Sequence, residues 1–568
     1  IASSTTPSSS WAVGDWNVWN DTGGGDSNYN PQTAPDDYDP GYWIGAATTD
    51  TWNGLSNSDN TSWATDENWA SGEAPIAGDK VFIRDANSDP QISSADTELT
   101  SLTVETGGVL DIGASGSLKL SGNFSNSGTV TLNSNADEFA SIIVEGTSSG
   151  NIVYSRYINT VGADEWDLIG SPVGGLDINT FVSDNSGVIA TNDVQYAIGA
   201  YDNSNNAWSN YTSDGSLAGN VSSAGNFDIG KGYQMGTVSG AAVDFTGTIA
   251  TSDQTQSIIN NDGNGSGRRW NLVANPYPSY LNLASFLNEN VTNNTIMDQG
   301  LYGAVYGWNP NKLGGAGYDS YDGNEVVYIA PGQGFMIAAE SSSAANLSFT
   351  TAMQTVSGGD DFVVGDVMEN TEIYLRLYNN DAFIEQTHIR FRENMTLGLD
   401  QTYDVGNYYQ GAEIASRLIE GDEGVSLEHQ NLPLSAMENA VIPLVINQAA
   451  GQEFRINLHT ATIPDPNVYL EDVEEGTFTN LYEGDFVYTP TSDLSGVGRF
   501  FIHMTADTMS NGEVPTSMLN AYKEIDASYI TIEGLATQSN ETKVSLYNIL
   551  GREVLATTLN NNMGTQTI

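Results

Sequence analysis

The sequence predicts an all-β chain built from several packed units, and three observations carry that expectation. Short apolar alternations are separated by clusters of Gly, Ser, Thr, Asn and Asp, the pattern of strands and turns. Helical periodicity is nearly absent, its clearest traces being one or two turns at Leu283–Leu287 and Ala412–Leu418. The length of 568 residues is several times that of one domain, so roughly three to five units are expected.

Charge and composition remove whole classes of function. Lys and Arg number 17 against 71 Asp and Glu, a net charge of -54, so a phosphate backbone or an anionic membrane surface would be repelled. Neither nucleic-acid binding nor membrane insertion is expected, since no apolar run approaches the length of a spanning helix. No cysteine is present, which removes disulfides, thiolate metal sites and a cysteine nucleophile. The first residues lack the basic-then-apolar form of a secretory leader. Because the chain opens on Ile1, it is expected to be a processed product or a fragment.

Residues 1–45 form a polar, aromatic-rich arm carrying Trp11, Trp16, Trp19 and Trp43, and seven of the eleven tryptophans precede residue 70. Leaving an indole exposed forgoes about 2 to 3 kcal/mol of burial. The rings are therefore expected to pack on the next unit, to form a sugar-stacking face, or to dock on a neighbouring subunit. Over 46–152 the apolar pairs Leu102/Val104, Leu110/Ile112, Leu118/Leu120, Val130/Leu132 and Ile142/Val144 recur between glycines. Rungs at this spacing fit a short parallel β-helix, with a sandwich as the alternative. The stretch Trp63, Asn68-Trp69, Pro75 and Gly78–Val81 resembles the leader of solenoid-like segments in large exported bacterial surface proteins.

An internal duplication follows, dividing the next stretch into 153–256 and 257–356. Trp166-Asp-Leu-Ile-Gly-Ser-Pro172 matches Trp270-Asn-Leu-Val-Ala-Asn-Pro276, and Gly230-Lys-Gly232-Tyr233 matches Gly332-Gln-Gly334-Phe335. Phe181 aligns with Phe286 and Phe245 with Phe349, so two tandem β-sandwiches are expected. In each, Trp-x-Leu reads as a buried strand, and Gly-x-Gly lets backbones approach closely. Residues 357–506 carry six alternating runs without those motifs and predict a larger Ig-like or jelly-roll sandwich of two sheets.

The last unit, 507–568, contains Lys543-Val-Ser-Leu-Tyr547-Asn-Ile-Leu-Gly551-Arg552-Glu-Val554-Leu555, two strands joined at a Leu-Gly-Arg turn. These residues, with Tyr547, Gly551 and Arg552 as the motif positions, resemble the first half of a type A C-terminal sorting domain of Bacteroidota type IX secretion cargo. The resemblance departs from the family at Asn520-Ala521-Tyr522, where Pro-Asn-Pro is usual, and the family's second half does not follow. It implies export by the type IX machinery to the cell surface or beyond. An incomplete β-sandwich exposes an edge, so strand exchange with another chain, for instance through the 1–45 arm, is a consequence to test.

Chemical signals are sparse. Gly146-Thr-Ser148-Ser-Gly150 has nucleophile-elbow spacing, but a strand follows where a helix is required. The four histidines, His388, His429, His459 and His503, all fall in or beside sandwich strands. No cofactor motif occurs and no enzyme is expected. Calcium remains a cation that the many acidic turns can attract, with Asp36, Asp37 and Asp39, Asp85, Asn87 and Asp89, and Asp262 and Asn264 as candidates. The last pair sits in an imperfect loop, with Asn271 where calcium binding needs a bidentate Glu. The whole reads as a train of separately cored β-units, a structural or adhesive surface protein whose partners are its own copies or other surface proteins. Polysaccharide binding by the Trp-rich region is the alternative. A deep pocket holding convergent ionisable groups, or a substantially helical architecture, would contradict that reading.

Overall fold

The computed structural model describes residues 49–568, apart from 95–96, 163–165, 218, 266, 324–325, 357, 359–370, 410, 463–466, 506–519, 524–528, 536–540, 548–552 and 561–564. Its architecture is all-β. Residues 80–158 wind as a three-faced parallel β-helix. Lys80–Ile83, Ser101–Val104, Phe124–Asn126 and Ser148–Ser149 stack on one face, and Thr97–Leu99, Ser117–Leu120 and Ser141–Val144 on a second. Gln91–Ile92, Val109–Ile112, Thr129–Asn133 and Ile152–Ile158 form the third. The ten rung residues predicted from the alternation are all buried. Glycine is required where coils touch: a Cβ on Gly128 would lie 2.6 Å from the Glu105 carbonyl oxygen. Trp52, Trp63 and Trp69 close the first coil, with ring centroids 5.1 Å and 4.6 Å apart around Trp69.

The β-helix does not end before the first repeat begins. Ile152–Ile158 pairs in parallel with Thr129–Asn133 and antiparallel with Ala241–Gly247, so it is both the last rung and the first strand of copy 1. Its inward residues Ile152, Tyr154 and Ile158 join the coil interior to Phe181, Phe227 and Phe245 in one apolar core. The expectation of separately cored units fails here because a strand with partners on both edges leaves no surface for a linker. The boundary at 152/153 lies inside this strand.

The two copies share one plan. Copy 1 orders Asp167–Ile169, Tyr233–Met235, Gln195–Asp202 and Ala207–Thr212; copy 2 orders Trp270–Ala274, Gly334–Ala338, Val305–Asn309 and Gly317–Tyr321 in the corresponding way. Each carries a short helix, Ile178–Asp184 or Leu283–Leu287, capped by Asp177 accepting from Thr180 N or Asn282 accepting from Ser285 N. Beyond each helix an asparagine clasps the last strand. Asn185 donates to Phe181 O and Asp244 O and accepts from Asp244 N; Asn290 donates to Phe286 O and Ser348 O and accepts from Ser348 N.

The copies also exchange contacts. Gly170 N donates to Gly332 O, and Ala274 N donates to Gly230 O, so the Gly-x-Gly run of each meets the Trp strand of the other. A Cβ on Gly334 would lie 2.7 Å from the Leu168 carbonyl carbon, and one on Gly232 would lie 2.6 Å from Leu272 Cγ. Close backbone approach, inferred from the motif, is thus realised between copies.

All six runs predicted over 357–506 are strands, as the larger β-sandwich requires. Their hydrogen bonds form one ladder from Thr477–Asn480 at one end to Phe486–Tyr488 at the other. The ladder curls round a single core, and Phe486 and Phe500, on distant strands, face each other at 5.6 Å. The helical turn expected at Ala412–Leu418 is instead a buried strand, Ile414–Ser416, paired with Val441–Ile446. Three consecutive buried residues leave no polar face for a surface helix.

In the C-terminal unit, Asn520–Tyr522, Thr531–Glu533 and Thr565–Thr567 form a small sheet beside the hairpin Thr542–Tyr547/Glu553–Leu559. Ile530 and Ile568 exchange two backbone hydrogen bonds of 2.9 Å. The terminal strand thus takes an edge place in this three-stranded sheet, separate from the two-stranded hairpin. Among the described residues no helix is long and apolar enough to cross a membrane.

Candidate functional site

Alternation along the large sheet creates a polar outer face opposite its apolar core. Tyr374, His388 and His429 are opposed on adjacent strands Thr371–Asn379, Ala382–Arg392 and Leu427–Pro433, and so are Glu372, Arg390 and Asn431. The copy 2 hairpin, Val305–Asn309 and Gly317–Tyr321, lies against this face. Just past the hairpin, fully buried Asp322 receives Arg390 Nη1 at 2.5 Å and has His429 Nδ1 at 3.1 Å. His388 Nε2 lies 2.8 Å from Glu372 Oε2, and its ring stacks on Tyr374 at 3.8 Å. Burial, with Arg390 and His429 alongside, holds His388 well below the usual imidazole range.

Next to this clamp, an open cleft of 430 Å³ runs between the hairpin loop and the sheet. Its hairpin wall is held by Lys312, whose Nζ contacts Asp319 Oδ1 at 3.1 Å and Glu428 Oε1 at 3.0 Å and donates to Tyr318 O. The loop rests on the sheet at Gly314, where a Cβ would lie 3.0 Å from Ile384 O. On the opposite side Glu385 accepts from Asn407 Nδ2 at 2.8 Å and Glu413 N at 2.6 Å. Burial pushes its carboxyl above the usual range against the pull of those donors. Tyr409 stands 55% exposed at the rim. Behind the face, burial pushes Asp404 up to about 8 although it accepts from Asn431 N and Asp400 N.

The residues singled out from sequence do not converge on this place. Trp11, Trp16, Trp19, Trp43, Asp36, Asp37, Asp39, Gly551 and Arg552 lie outside the described residues. Tyr547 ends the strand Thr542–Tyr547, opposite Glu553. Asp85, Asn87 and Asp89 lie exposed on the loop after Lys80–Ile83. Asp262 is engaged within its turn, by Arg268 N at 2.7 Å and Arg269 Nε at 2.5 Å, while Asn264 is exposed. An arginine on Asp262 opposes a second cation there. Among the described residues no three His, Asp or Glu side chains converge to hold a metal. The tryptophans Trp52, Trp63 and Trp69 are buried, so this part of the Trp-rich region offers no face to a sugar. Ser148 sits in a two-residue strand followed by Ile152–Ile158, away from the elbow geometry.

Sequence reasoning missed Lys312, Asp319, Asp322, Glu385, Glu428 and Tyr409. The available signal was the polar phase of the runs Glu372–Tyr378 and Thr387–Arg392, which carries His388 and Arg390 opposite the core.

Fold and cleft together define a multi-unit β-protein: a parallel β-helix welded to a duplicated β-unit, which docks on a large curled sheet beside an open polar groove. The chain belongs to the family of a domain of unknown function (DUF8693), whose model matches residues 51–504. No curated protein and no solved structure matches the chain.

Proposed function

We propose that the protein is a non-catalytic structural or adhesive protein of the cell surface or extracellular space, exported by the type IX route. The observation that carries this reading is the strand Ile152–Ile158, bonded on both edges, which makes β-helix and duplicated pair one continuous body. Such continuity suits a part that spans distance and bears load. The Gly-x-Gly exchange and the buried Arg390–Asp322 pair extend the same connection to the large sheet.

Self-association through sheet edges fits the C-terminal hairpin, on which Val554 and Leu555 are exposed. Sedimentation and electron microscopy of the purified full chain test the reading. Extended particles that associate with rising concentration, and lose association when residues 507–568 are removed, are expected. A compact monomer at every concentration would contradict it. In the producing cell, removal of 507–568 is expected to leave the protein unexported, and normal export would refute the secretion assignment.

A further inference from the structure

We infer that the cleft between the copy 2 hairpin and the large sheet binds a neutral carbohydrate. The inference stands independently of the structural role, because it uses only the groups around the groove. Its volume of 430 Å³ lies within the range of small-ligand sites. The lining combines ring faces with a dense set of polar groups, and a pyranose needs both. Tyr409 is largely exposed and Phe383 half-buried, giving flat surfaces for the C–H face of a sugar.

The polar side of the groove is rich in acceptors. Asp319, Glu385 and Glu428 bring carboxylate oxygens with more lone pairs than their present partners use, and sugar hydroxyls are donors that can fill them. Asn309 and Asn407 line the same side and hold Asp319 and Glu385 in place through their amide N–H groups. A second, independent observation comes from Ser320. It lines the cleft, is only 4% exposed, and among the described residues its Oγ has no hydrogen-bond partner. A buried hydroxyl without a partner costs free energy unless something supplies one. The Oγ is closed to solvent in its present rotamer, and a turn of the side chain toward the groove would let a ligand hydroxyl supply one.

Charge selects within the class of polar ligands. The cations at the groove are already engaged, Lys312 by Asp319 and Glu428 and Arg390 by Asp322, so neither offers an open site to a uronate, sulfate or phosphate. The net charge of -54 repels such groups at longer range. A cationic ligand would be drawn by the net charge but must compete with groups already in place: Lys312 bridges Asp319 and Glu428, and Glu385 accepts from an amide side chain and backbone N–H groups. A neutral polyol needs no charge partner, and the spermidine control tests the cationic alternative.

The test is titration of the full chain with neutral di- to tetrasaccharides, with uronate-containing oligosaccharides and spermidine as charge controls, read by calorimetry. Binding of at least one neutral member is expected. It should weaken at least tenfold in Tyr409→Ala, whose exposed ring can be removed without unfolding the chain. Ser320→Ala should weaken it several-fold while leaving the melting temperature unchanged or higher, an outcome that a merely structural serine would not give. Absence of binding across the neutral panel, preference for the uronate or spermidine controls, or undiminished binding in Tyr409→Ala would overturn the inference. None of these results bears on particle shape or association, so this site and the structural role fail separately.

Discussion

The two copies of the duplicated unit differ least where they hold themselves together and most where they face their neighbours. Both keep the aromatic pair between helix and last strand, Phe181 with Phe245 at 4.5 Å and Phe286 with Phe349 at 5.4 Å, and both keep the asparagine clasp. Their hairpins have parted. In copy 1 the turn points back, and Asn203 Nδ2 donates to Ile259 O, Arg268 O and Trp270 O of copy 2. In copy 2 the longer loop carries Lys312 outward, and Asp322 follows its second strand into the large sheet. Duplication supplied two equal cores; the free element of the second was left to build the clamp and the groove.

The largest expected effect breaks the part that only copy 2 has. Asp322→Asn takes the nearer carboxylate from buried Arg390 and leaves it Glu372 Oε2 at 3.8 Å, and urea unfolding should show a loss of about 3 kcal/mol. Asn185→Ala and Asn290→Ala should each cost about 2 to 3 kcal/mol, because each takes the clasp from the carbonyl and the N–H of one strand residue, Asp244 or Ser348. The two losses should agree within about 1 kcal/mol if the clasp is common to both copies. Unequal losses would show that one copy relies on it and the other does not. At the Gly-x-Gly exchange the copies should differ in a defined sense. A Cβ at Gly334 meets backbone atoms of Leu168 and Ile169, whereas one at Gly232 meets the movable Leu272 side chain as well as Val273 O. Gly334→Ala should therefore destabilise more than Gly232→Ala, by about 1 kcal/mol or more.

A pH effect centred on the large sheet, against which copy 2 docks, sharpens the comparison further. Asp404 keeps its proton up to about pH 8 when folded, against an ordinary value of 3.8. Between those values the folded chain binds more protons than the unfolded one, so this contribution to stability falls as pH rises and levels off above about 8. From pH 6.5 to 8 the loss should be on the order of 1 to 2 kcal/mol, and Asp404→Asn should flatten it. Below the ordinary imidazole pKa of 6.5 the depressed His388 acts in the opposite direction, because the unfolded chain then takes up a proton that the folded one refuses. The smallest effect belongs to copy 1's exposed pair: Asp228→Asn, which weakens the contact with Lys231, should change stability by less than about 0.5 kcal/mol.

Much of the fold was legible because apolar side chains repeat at the period of a strand. The rungs from Leu102 to Val144 could be placed one by one, and Trp-x-Leu with Gly-x-Gly revealed the duplication before any strand was paired. The clasp was not legible, since Asn185 and Asn290 are polar residues beside a helix and resemble surface positions until the carbonyls they reach are known. The helix Ile178–Asp184 went unread for a related reason: its buried residues Ile178, Phe181 and Val182 cover too short a stretch to establish a period. Nor was the groove legible. Asp322 meets partners 68 and 107 positions away, a pairing set by how copy 2 docks and by no local pattern.

Native-state hydrogen exchange across the shared strand tests the central claim most directly. If Ile152–Ile158 makes the β-helix and copy 1 one body, amides in Val109–Ile112 and Ala241–Gly247 should open with the same free energy and the same dependence on denaturant. Two distinct opening energies, with the β-helix surviving after Ala241–Gly247 has exchanged, would show independent units and contradict the account.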